Sequence, residues 1–296
     1  IKWELTNGPE GGALSAICNN DSFAFWGDRY KLYRTADGIK WEQLPYGDLW
    51  PIELNNIKIA ALQNFNYSKN QSGNFKFIVS YDNGLNWKEG KLPPTSNGGG
   101  FSNMAVCTHG IYVPGGIENF MYRTTDDGLT WSTIPAPGNY CYDLFAFEDQ
   151  LYALWNNKYW RLNLIGLNWE LISPDFGKGN YPNGIYISGQ NRIFSTENSI
   201  VASIDDGLNW KTSSFGRRNN DDPFIPIGKR IYKLGNFSGL LYTEDSGLNW
   251  QIVNIETTYS IIDLASVGGK LLGSSYNKGV LSFDENKSNF ISANKG

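Results

Sequence analysis

The chain has 296 residues, a formal net charge of −4 and 15% aromatic residues. This mild acidity lacks the concentrated basic surface that nucleic-acid binding favours, and no apolar run approaches the ~20 residues of a transmembrane helix. We therefore expect no nucleic-acid partner and no transmembrane segment. The first predicted element in chain order is a strand, "IKWEL" at Ile1, which closely matches "IKWEQL" at Ile39.

Tryptophans then recur along the chain in a similar local frame, at Trp41, Trp87, Trp131, Trp169, Trp210 and Trp250. Their spacing ranges from 38 residues (131 to 169) to 46 residues (41 to 87). A seventh, degraded copy reads "SFDENKSNF", with Phe290 in place of tryptophan. A period of this length, punctuated by glycine and aromatic residues, is typical of a four-stranded propeller blade. The seven copies predict an all-β fold, a seven-bladed β-propeller of antiparallel blades.

Each period also divides internally into strands. The repeat "PNGIYISGQNRIFSTENSIVASIDDGLNWKTSS" contains four predicted strands, "GIYIS", "RIFST", "SIVAS" and "LNWKTSS". Short β-branched and aromatic runs between Gly, Asn and Asp clusters are strand and hairpin signals. No helical periodicity of any length is present, which excludes helical repeats of similar period.

A motif of the form Ser/Thr-x-Asp-x-Gly-x-x-Trp is complete in four copies, "SYDNGLNW", "TTDDGLTW", "SIDDGLNW" and "TEDSGLNW". Its glycine supplies the positive φ that a tight turn requires. The aspartate carboxylate can accept hydrogen bonds from backbone N–H groups of the turn. The tryptophan is predicted to pack between neighbouring sheets.

This motif resembles the Asp-box, or BNR repeat, of the sialidase-like propeller families. The resemblance covers the whole chain and implies that the motif lies between the third and fourth strands, away from the ligand site. The first copy has Ala36 where the aspartate belongs, with Asp37 beside it, and the fourth has Leu164 there. A structural role is expected for the motif residues Asp82, Asp126, Asp205, Asp245, Trp87, Trp131, Trp210 and Trp250.

The organisation expected is one propeller domain over residues 1–296, acting as a monomer. The N-terminal "IKWEL" is a candidate to complete the last blade, so that the first and last segments share a sheet, because closure removes exposed strand edges. In that case "NFISANKG" is displaced or pairs further out. The sequence leaves open which segment is outermost.

The resemblance places ligands at the other face, formed by the loops between blades and the loops from second to third strands. These loops are rich in aromatic and amide residues, which suit sugars because flat rings stack and amides bind hydroxyls. We predict a binding module for a carbohydrate or glycoconjugate, with a protein ligand as an alternative. The aromatic candidates are Trp50, Tyr140, Trp155, Tyr159, Tyr181 and Tyr259.

A glycoside hydrolase is a further alternative, using two loop carboxylates ~5–10 Å apart. A sialidase is not expected, because the family's Arg-Ile-Pro motif is absent. Of the three loop arginines Arg29, Arg217 and Arg218, two are adjacent in sequence, so they do not come from three blades. An assembly platform would favour an arginine-rich patch, whereas the arginines here are scattered. The candidate carboxylates are Asp48, Glu53, Asp143, Asp175, Asp222 and Asp263.

No metal or cofactor is expected from a chain with one histidine, His109. The odd set Cys18, Cys107 and Cys141 excludes full disulfide pairing. Cys18 and Cys107 end apolar runs and are interpreted as small buried side chains, with a reactive thiol as the alternative. The chain begins at Ile1 without methionine, from which we expect a trimmed N-terminus and a secreted, periplasmic or cell-surface protein.

Overall fold

The computed structural model describes most of the chain. The described residues are 4–5, 16–27, 31–47, 49–64, 75–94, 103–115, 119–139, 141–174, 176, 182–196, 198–214, 223–235, 239–253, 261–275 and 279–284. They contain strands and turns but no helix, so they also contain no helix of the length and hydropathy that a membrane span requires.

Seven four-stranded antiparallel sheets, called blades 1 to 7, follow a short first strand, β1 (Glu4–Leu5). Blade 1 consists of β2 (Ala16–Asn19), β3 (Ala24–Gly27), β4 (Leu32–Thr35) and β5 (Glu42–Gln43). Blade 2 consists of β6 (Leu49–Leu54), β7 (Ile59–Asn64), β8 (Phe75–Ser80) and β9 (Lys88–Gly90). Blade 3 consists of β10 (Ala105–Cys107), β11 (Gly110–Pro114), β12 (Phe120–Thr124) and β13 (Ser132–Pro135).

The remaining four blades repeat this order. Blade 4 consists of β14 (Cys141–Phe147), β15 (Gln150–Trp155), β16 (Lys158–Asn163) and β17 (Asn168–Leu171). Blade 5 consists of β18 (Pro182–Ser188), β19 (Asn191–Thr196), β20 (Ser199–Ser203) and β21 (Lys211–Ser214). Blade 6 consists of β22 (Ile225–Ile227), β23 (Arg230–Leu234), β24 (Leu240–Thr243) and β25 (Gln251–Val253). Blade 7 consists of β26 (Ile261–Val267), β27 (Lys270–Ser275), β28 (Gly279–Asp284) and β1.

The predicted fold class, an all-β seven-bladed β-propeller, is confirmed by these sheets. The N-terminal strand supplies the outermost strand of blade 7, since β1 pairs with β28 through Glu4↔Ser282 and Leu5↔Leu281. The sequence left this place open, and the pairing assigns it to the N-terminal segment.

Backbone contacts divide the chain into two compact units. The first, comprising Ile1–Arg29, Tyr33–Gln43 and Pro174–Gly296, holds blades 5, 6 and 7 and most of blade 1. The second, comprising Tyr30–Leu32 and Leu44–Ser173, holds blades 2, 3 and 4. A single domain over residues 1–296 stays a prediction.

The core of each unit lies between successive blades. In the second unit, Phe77 and Val79 of blade 2 pack with Val106 and Ile111 of blade 3 in one buried cluster. In the first unit, a comparable cluster joins Tyr232 of blade 6 to residues of blade 7. Burial of these faces supplies the main stabilisation, at about 25 cal/mol per Å² of apolar surface.

The middle strands of a blade read as continuous apolar runs because both of their faces are covered. All five residues of β20 are buried, whereas most of the outermost strand β21, "KTSS", is exposed. Polar outer strands of only a few residues also protect the edges of the blades from pairing with other chains.

Candidate functional site

The antiparallel order gives every blade two distinct ends. At one end, the loop end, the first strand begins, the second turns into the third, and the chain leaves for the next blade. At the other, the motif end, the third strand turns into the fourth through the repeated motif. The predicted structural residues of the motif therefore lie at the motif end of each blade, and the predicted ligand-binding residues lie at the loop end.

The motif aspartates accept hydrogen bonds from within their own turns. In blade 3, Asp126 accepts from the Thr124 hydroxyl (2.8 Å), the Thr130 N–H (2.9 Å) and the Thr130 hydroxyl (2.6 Å). Thr124 Oγ1 in turn accepts the N–H of Gly128 at 2.8 Å. The same network recurs around Asp82, Asp205 and Asp245.

These bonds stabilise the ionised carboxylates. Donation from the Thr130 hydroxyl and N–H and from the Thr124 hydroxyl lowers the pKa of Asp126 to about 2. The N–H and side-chain amide of Asn209, with the Ser203 hydroxyl, lower the pKa of Asp205 to about 2. A carboxylate held in this way is a poor proton donor or acceptor near neutral pH.

The first copy of the motif was misread from the sequence. Asp37, not position 36, makes the motif contacts: its Oδ1 accepts from the Thr35 hydroxyl (3.1 Å) and the Lys40 N–H (2.8 Å). Thr35 Oγ1 accepts the N–H of Gly38 at 2.9 Å. This copy has one residue fewer between its aspartate and glycine, which shifts the alignment but keeps the threonine hydroxyl and backbone N–H contacts.

The motif tryptophans are half-buried. Trp131 donates its indole N–H to Lys91 O of blade 2 (3.0 Å) and meets Phe77 edge-on at a ring-centroid distance of 5.4 Å. Trp87 and Trp250 instead donate to glycine carbonyls of their own turns, Gly84 O and Gly247 O. The motif end is thus largely occupied by contacts within and between neighbouring blades.

Arginines of the third strands are also engaged. Arg34 pairs with Glu42 at 2.8 Å and Arg161 with Glu170 at 2.7 Å. Arg123 donates to His109 O at 2.8 Å. The remaining candidates for a carboxylate clamp, Arg217 and Arg218, lie outside the described residues.

The loop end carries an irregularity that recurs in the first strands. A β-bulge interrupts β6 between Leu49 and Ile52, and β14 between Cys141 and Asp143. The same feature interrupts β18 between Pro182 and Gly184, and β26 between Ile261 and Asp263. Bulges re-aim side chains and are frequent beside binding sites.

In blade 4 the bulge exposes an aromatic ring. Cys141 pairs with Trp155 and Asp143 with Leu154, which leaves Tyr142 as the extra residue, 66% exposed. The Cys141 thiol donates to Asp143 O at 3.0 Å, and burial raises the pKa of this thiol. Cys141 therefore stays protonated and supports the bulge, which lies at the loop end of β14 and contains the exposed Tyr142 and the half-buried Asp143.

The adjacent β15–β16 turn adds two exposed amides. Asn156 and Asn157 both adopt positive φ, 50° and 60°, the conformation of a two-residue hairpin turn that asparagine tolerates. The connection from blade 3 lies against this turn, since an ideal Cβ on Gly138 would stand 2.7 Å from Asn156 Nδ2. Tyr142, Asp143, Asn156 and Asn157 form what we call the blade-4 rim.

The prediction that Trp155 and Tyr159 lie in ligand-facing loops is wrong. Trp155 ends β15 and is 2% exposed, and Tyr159 lies in β16 at 0%. The hairpin turn contains only two residues, so its aromatic neighbours remain in the strand ladder. Trp155 packs on Trp169 at 4.7 Å and Tyr159 on Phe145 at 6.2 Å, on opposite faces of the blade 4 sheet, so both rings belong to the core.

The structure describes the other predicted site residues in part or not at all. For Trp50 only the backbone is described, within the bulge of β6, and Asp263, half-buried, follows the bulge of β26. The predicted residues outside the described part are Tyr140, Tyr181, Tyr259, Asp48, Asp175 and Asp222.

Sequence reasoning missed Tyr142, because strict strand alternation gives no sign of an inserted residue. The signal available was the loop "NYCYD", in which two tyrosines flank the cysteine. No group of three or more His, Cys, Asp or Glu side chains in the described part of the chain is placed to hold a metal ion.

Comparison with known proteins gives a relationship in sequence to a glycan-degrading enzyme. No family model matches the chain. A xyloglucanase, Xgh74A of Acetivibrio thermocellus, is 26% identical over 174 residues, which is 54% of this chain and 18% of that protein. The chain therefore matches less than a fifth of the length of this curated relative.

Solved structures show the same fold along nearly the whole chain. A structure of YCF48 bound to D1 peptide has a TM-score of 0.67 and 16% identity, covering 96% of this chain and 95% of that one. A virginiamycin B lyase from Staphylococcus aureus has a TM-score of 0.65 and 13% identity, covering 94% of this chain and 96% of that one. At this level of identity the likeness concerns the fold alone.

Proposed function

We propose that the protein is a carbohydrate-binding module whose ligand contacts the blade-4 rim. The observation that carries this proposal is the ring of Tyr142, 66% exposed on the bulge of β14. Its neighbour Cys141 pairs with Trp155, the residue before the exposed Asn156 and Asn157. A sugar needs an apolar face to stack on and planar polar groups for its hydroxyls, and this rim offers both.

The rim is also preorganised. Trp155 and Tyr159, at the ends of the two strands that carry the β15–β16 turn, are buried on either face of the sheet, and the Tyr159 N–H donates to Ser173 Oγ at 3.1 Å. A rigid support of this kind lowers the entropic cost of binding, because few groups must be ordered when a ligand arrives. The relationship to a xyloglucanase supports a glycan ligand independently of this geometry.

Two other functions follow from specific observations. Hydrolysis of a glycan would use Asp143 with a second carboxylate about 5–10 Å away. This alternative is favoured by the similarity in sequence to a xyloglucanase. Binding of a peptide or protein is favoured by the YCF48 structure, which holds a D1 peptide. Both alternatives would use the loop end.

A glycan array that includes xyloglucan, followed by calorimetry on any hit, tests the proposal. We expect Tyr142→Ala to abolish measurable binding and Tyr142→Phe, which keeps the stacking ring, to retain it. Binding unaffected by Tyr142→Ala, or capture of a protein and no glycan, would contradict the proposal. Product analysis after incubation with a bound glycan distinguishes binding alone from hydrolysis.

We further propose membership of the Asp-box propellers, supported by the shared network around Asp82, Asp126, Asp205 and Asp245. We also propose a monomer outside the cytoplasm. Light scattering of the purified protein and fractionation of the source cells test these two points.

A further inference from the structure

The blade-4 rim continues across the joint with blade 3. Asn119, which ends the β11–β12 connection, is exposed, and its carbonyl accepts the N–H of Ala136 at 3.0 Å. Ala136 begins the connection to blade 4, which passes through Gly138 and exposed Asn139. Gly138 then lies against Asn156. We call the exposed residues Asn119, Asn139, Asn156 and Asn157 the asparagine strip.

The strip is joined by direct contacts along its length. The first contact links the blade 3 hairpin to the connecting segment, through Asn119 and Ala136. The second links that segment to the blade 4 hairpin, through Gly138 and Asn156. Packed sheets stand about 10 Å apart, so a strip that passes from one blade to the next is longer than a single sugar residue.

We propose that the ligand is a chain-like saccharide that lies along the asparagine strip, with one residue stacked on Tyr142, and that Gly138 positions the Asn156 amide for it. This inference rests on the proposed function and specifies its ligand class. The strip presents amides at all four positions, which donate to and accept from hydroxyls equally well. A ligand rich in hydroxyls along its length matches this surface better than a charged end group.

Gly138 acts as a positioning residue because of the space it leaves. An added methyl carbon would stand 2.7 Å from the Asn156 amide nitrogen, too close for both atoms to keep their positions. The amide is the far end of a flexible side chain, so Gly138→Ala moves Asn156 rather than the backbone. The prediction is a loss of affinity in a normally stable protein.

The chain offers a matched control for that substitution. An ideal Cβ on Gly166, at the motif end of blade 4, would stand 2.5 Å from Asn168 Oδ1, again the end of an asparagine side chain. Gly166→Ala thus creates the same kind of collision in the same blade, far from the strip. We expect it to leave binding unchanged.

The experiment is calorimetric titration with soluble β-linked glucose oligomers of one to six units. We expect affinity to rise with chain length. Asn119→Ala should weaken the longest oligomers by about fivefold, the effect of losing one hydrogen bond, and leave the shortest unchanged. Gly138→Ala and Asn156→Ala should weaken binding equally, and melting temperatures should stay at the wild-type value.

The possible outcomes distinguish a failure of the asparagine strip from a failure of the proposed carbohydrate-binding function. Binding that depends on Tyr142 but not on chain length or on the asparagine variants overturns the strip and leaves the carbohydrate module standing. Absence of binding to every oligomer overturns the chain-like ligand tested here, and the glycan array then decides the function independently. A Gly138→Ala protein that binds like wild type overturns the positioning role.

Discussion

Blades 3 and 4 are neighbours in the same unit, yet they make the motif turn by different means. In blade 3, Asp126 accepts donors from both sides of the turn, and Gly128 takes a φ of +81°. In blade 4, Asn163 Oδ1 accepts only the N–H groups of Ile165 (3.0 Å) and Gly166 (3.2 Å). Leu167, with a φ of +50°, takes the left-handed conformation there.

Despite this difference, both turns deliver a tryptophan to the same kind of partner. Trp131 donates to Lys91 O of blade 2 at 3.0 Å, and Trp169 donates to Pro135 O of blade 3 at 2.9 Å. The inter-blade contact therefore does not require the carboxylate. The aspartate organises the turn itself, and where it is absent the tip is less protected: Ile165 is 99% exposed.

The largest expected difference between the two turns lies in their glycines. Gly128→Ala would place a methyl group 2.7 Å from the buried Phe77 ring at a positive φ, and we expect a loss of about 2–4 kcal/mol. Gly166 has no positive φ and meets only a mobile amide, so Gly166→Ala should cost about 0.5 kcal/mol or less. Chemical unfolding measures the free energy of unfolding of both variants. Equal losses of stability would show that the two turns are equivalent.

The hydroxyl of the motif is the next test. Thr124 is buried, and Thr124→Val removes the acceptor of the Gly128 N–H while keeping the shape of the side chain. A buried unsatisfied donor costs about 1–3 kcal/mol. Asn163→Ala frees only exposed N–H groups, which water can bind, so the expected loss is about 0.5 kcal/mol. Urea unfolding measures the free energy of unfolding of both variants. A larger loss of stability for Asn163→Ala than for Thr124→Val would contradict the prediction.

The smallest expected effect is in pH dependence. The pKa values of Asp126 and Asp205 are about 2 in the folded protein, against an ordinary value of 3.8. A lowered folded-state pKa gives stability that is complete above the ordinary value and is lost as pH falls through the folded value. Between pH 4 and pH 2, wild type should therefore lose more stability than the Asp126→Asn/Asp205→Asn double variant.

The control for that measurement is the turn without a carboxylate. Asn163→Ala should change the melting temperature by the same amount at pH 5 and pH 2, because no proton binds at that turn. A double variant that follows the wild-type pH profile would mean that other carboxylates govern the acid transition.

Periodicity was enough to predict the fold, because every blade repeats the same antiparallel order of four strands. It was less exact at Asp37, where one missing residue displaced the alignment although the hydrogen bonds are kept. Trp155 and Tyr159 show a different limit. Composition alone treats aromatics beside a turn as exposed, whereas a two-residue hairpin keeps them inside the ladder. The bulge at Tyr142 inserts one residue into a strand, and no local sequence rule marks such an insertion.

The pairing of β1 with β28 has a consequence for synthesis. Glu4 emerges from the ribosome long before its partner Ser282, so the edge of the last blade is completed by one of the most sequence-distant contacts in the chain. Such contacts form slowly because a long loop must close first. Until they form, β1 is an unpaired strand and a target for chaperones or for the equivalent edge of another nascent chain.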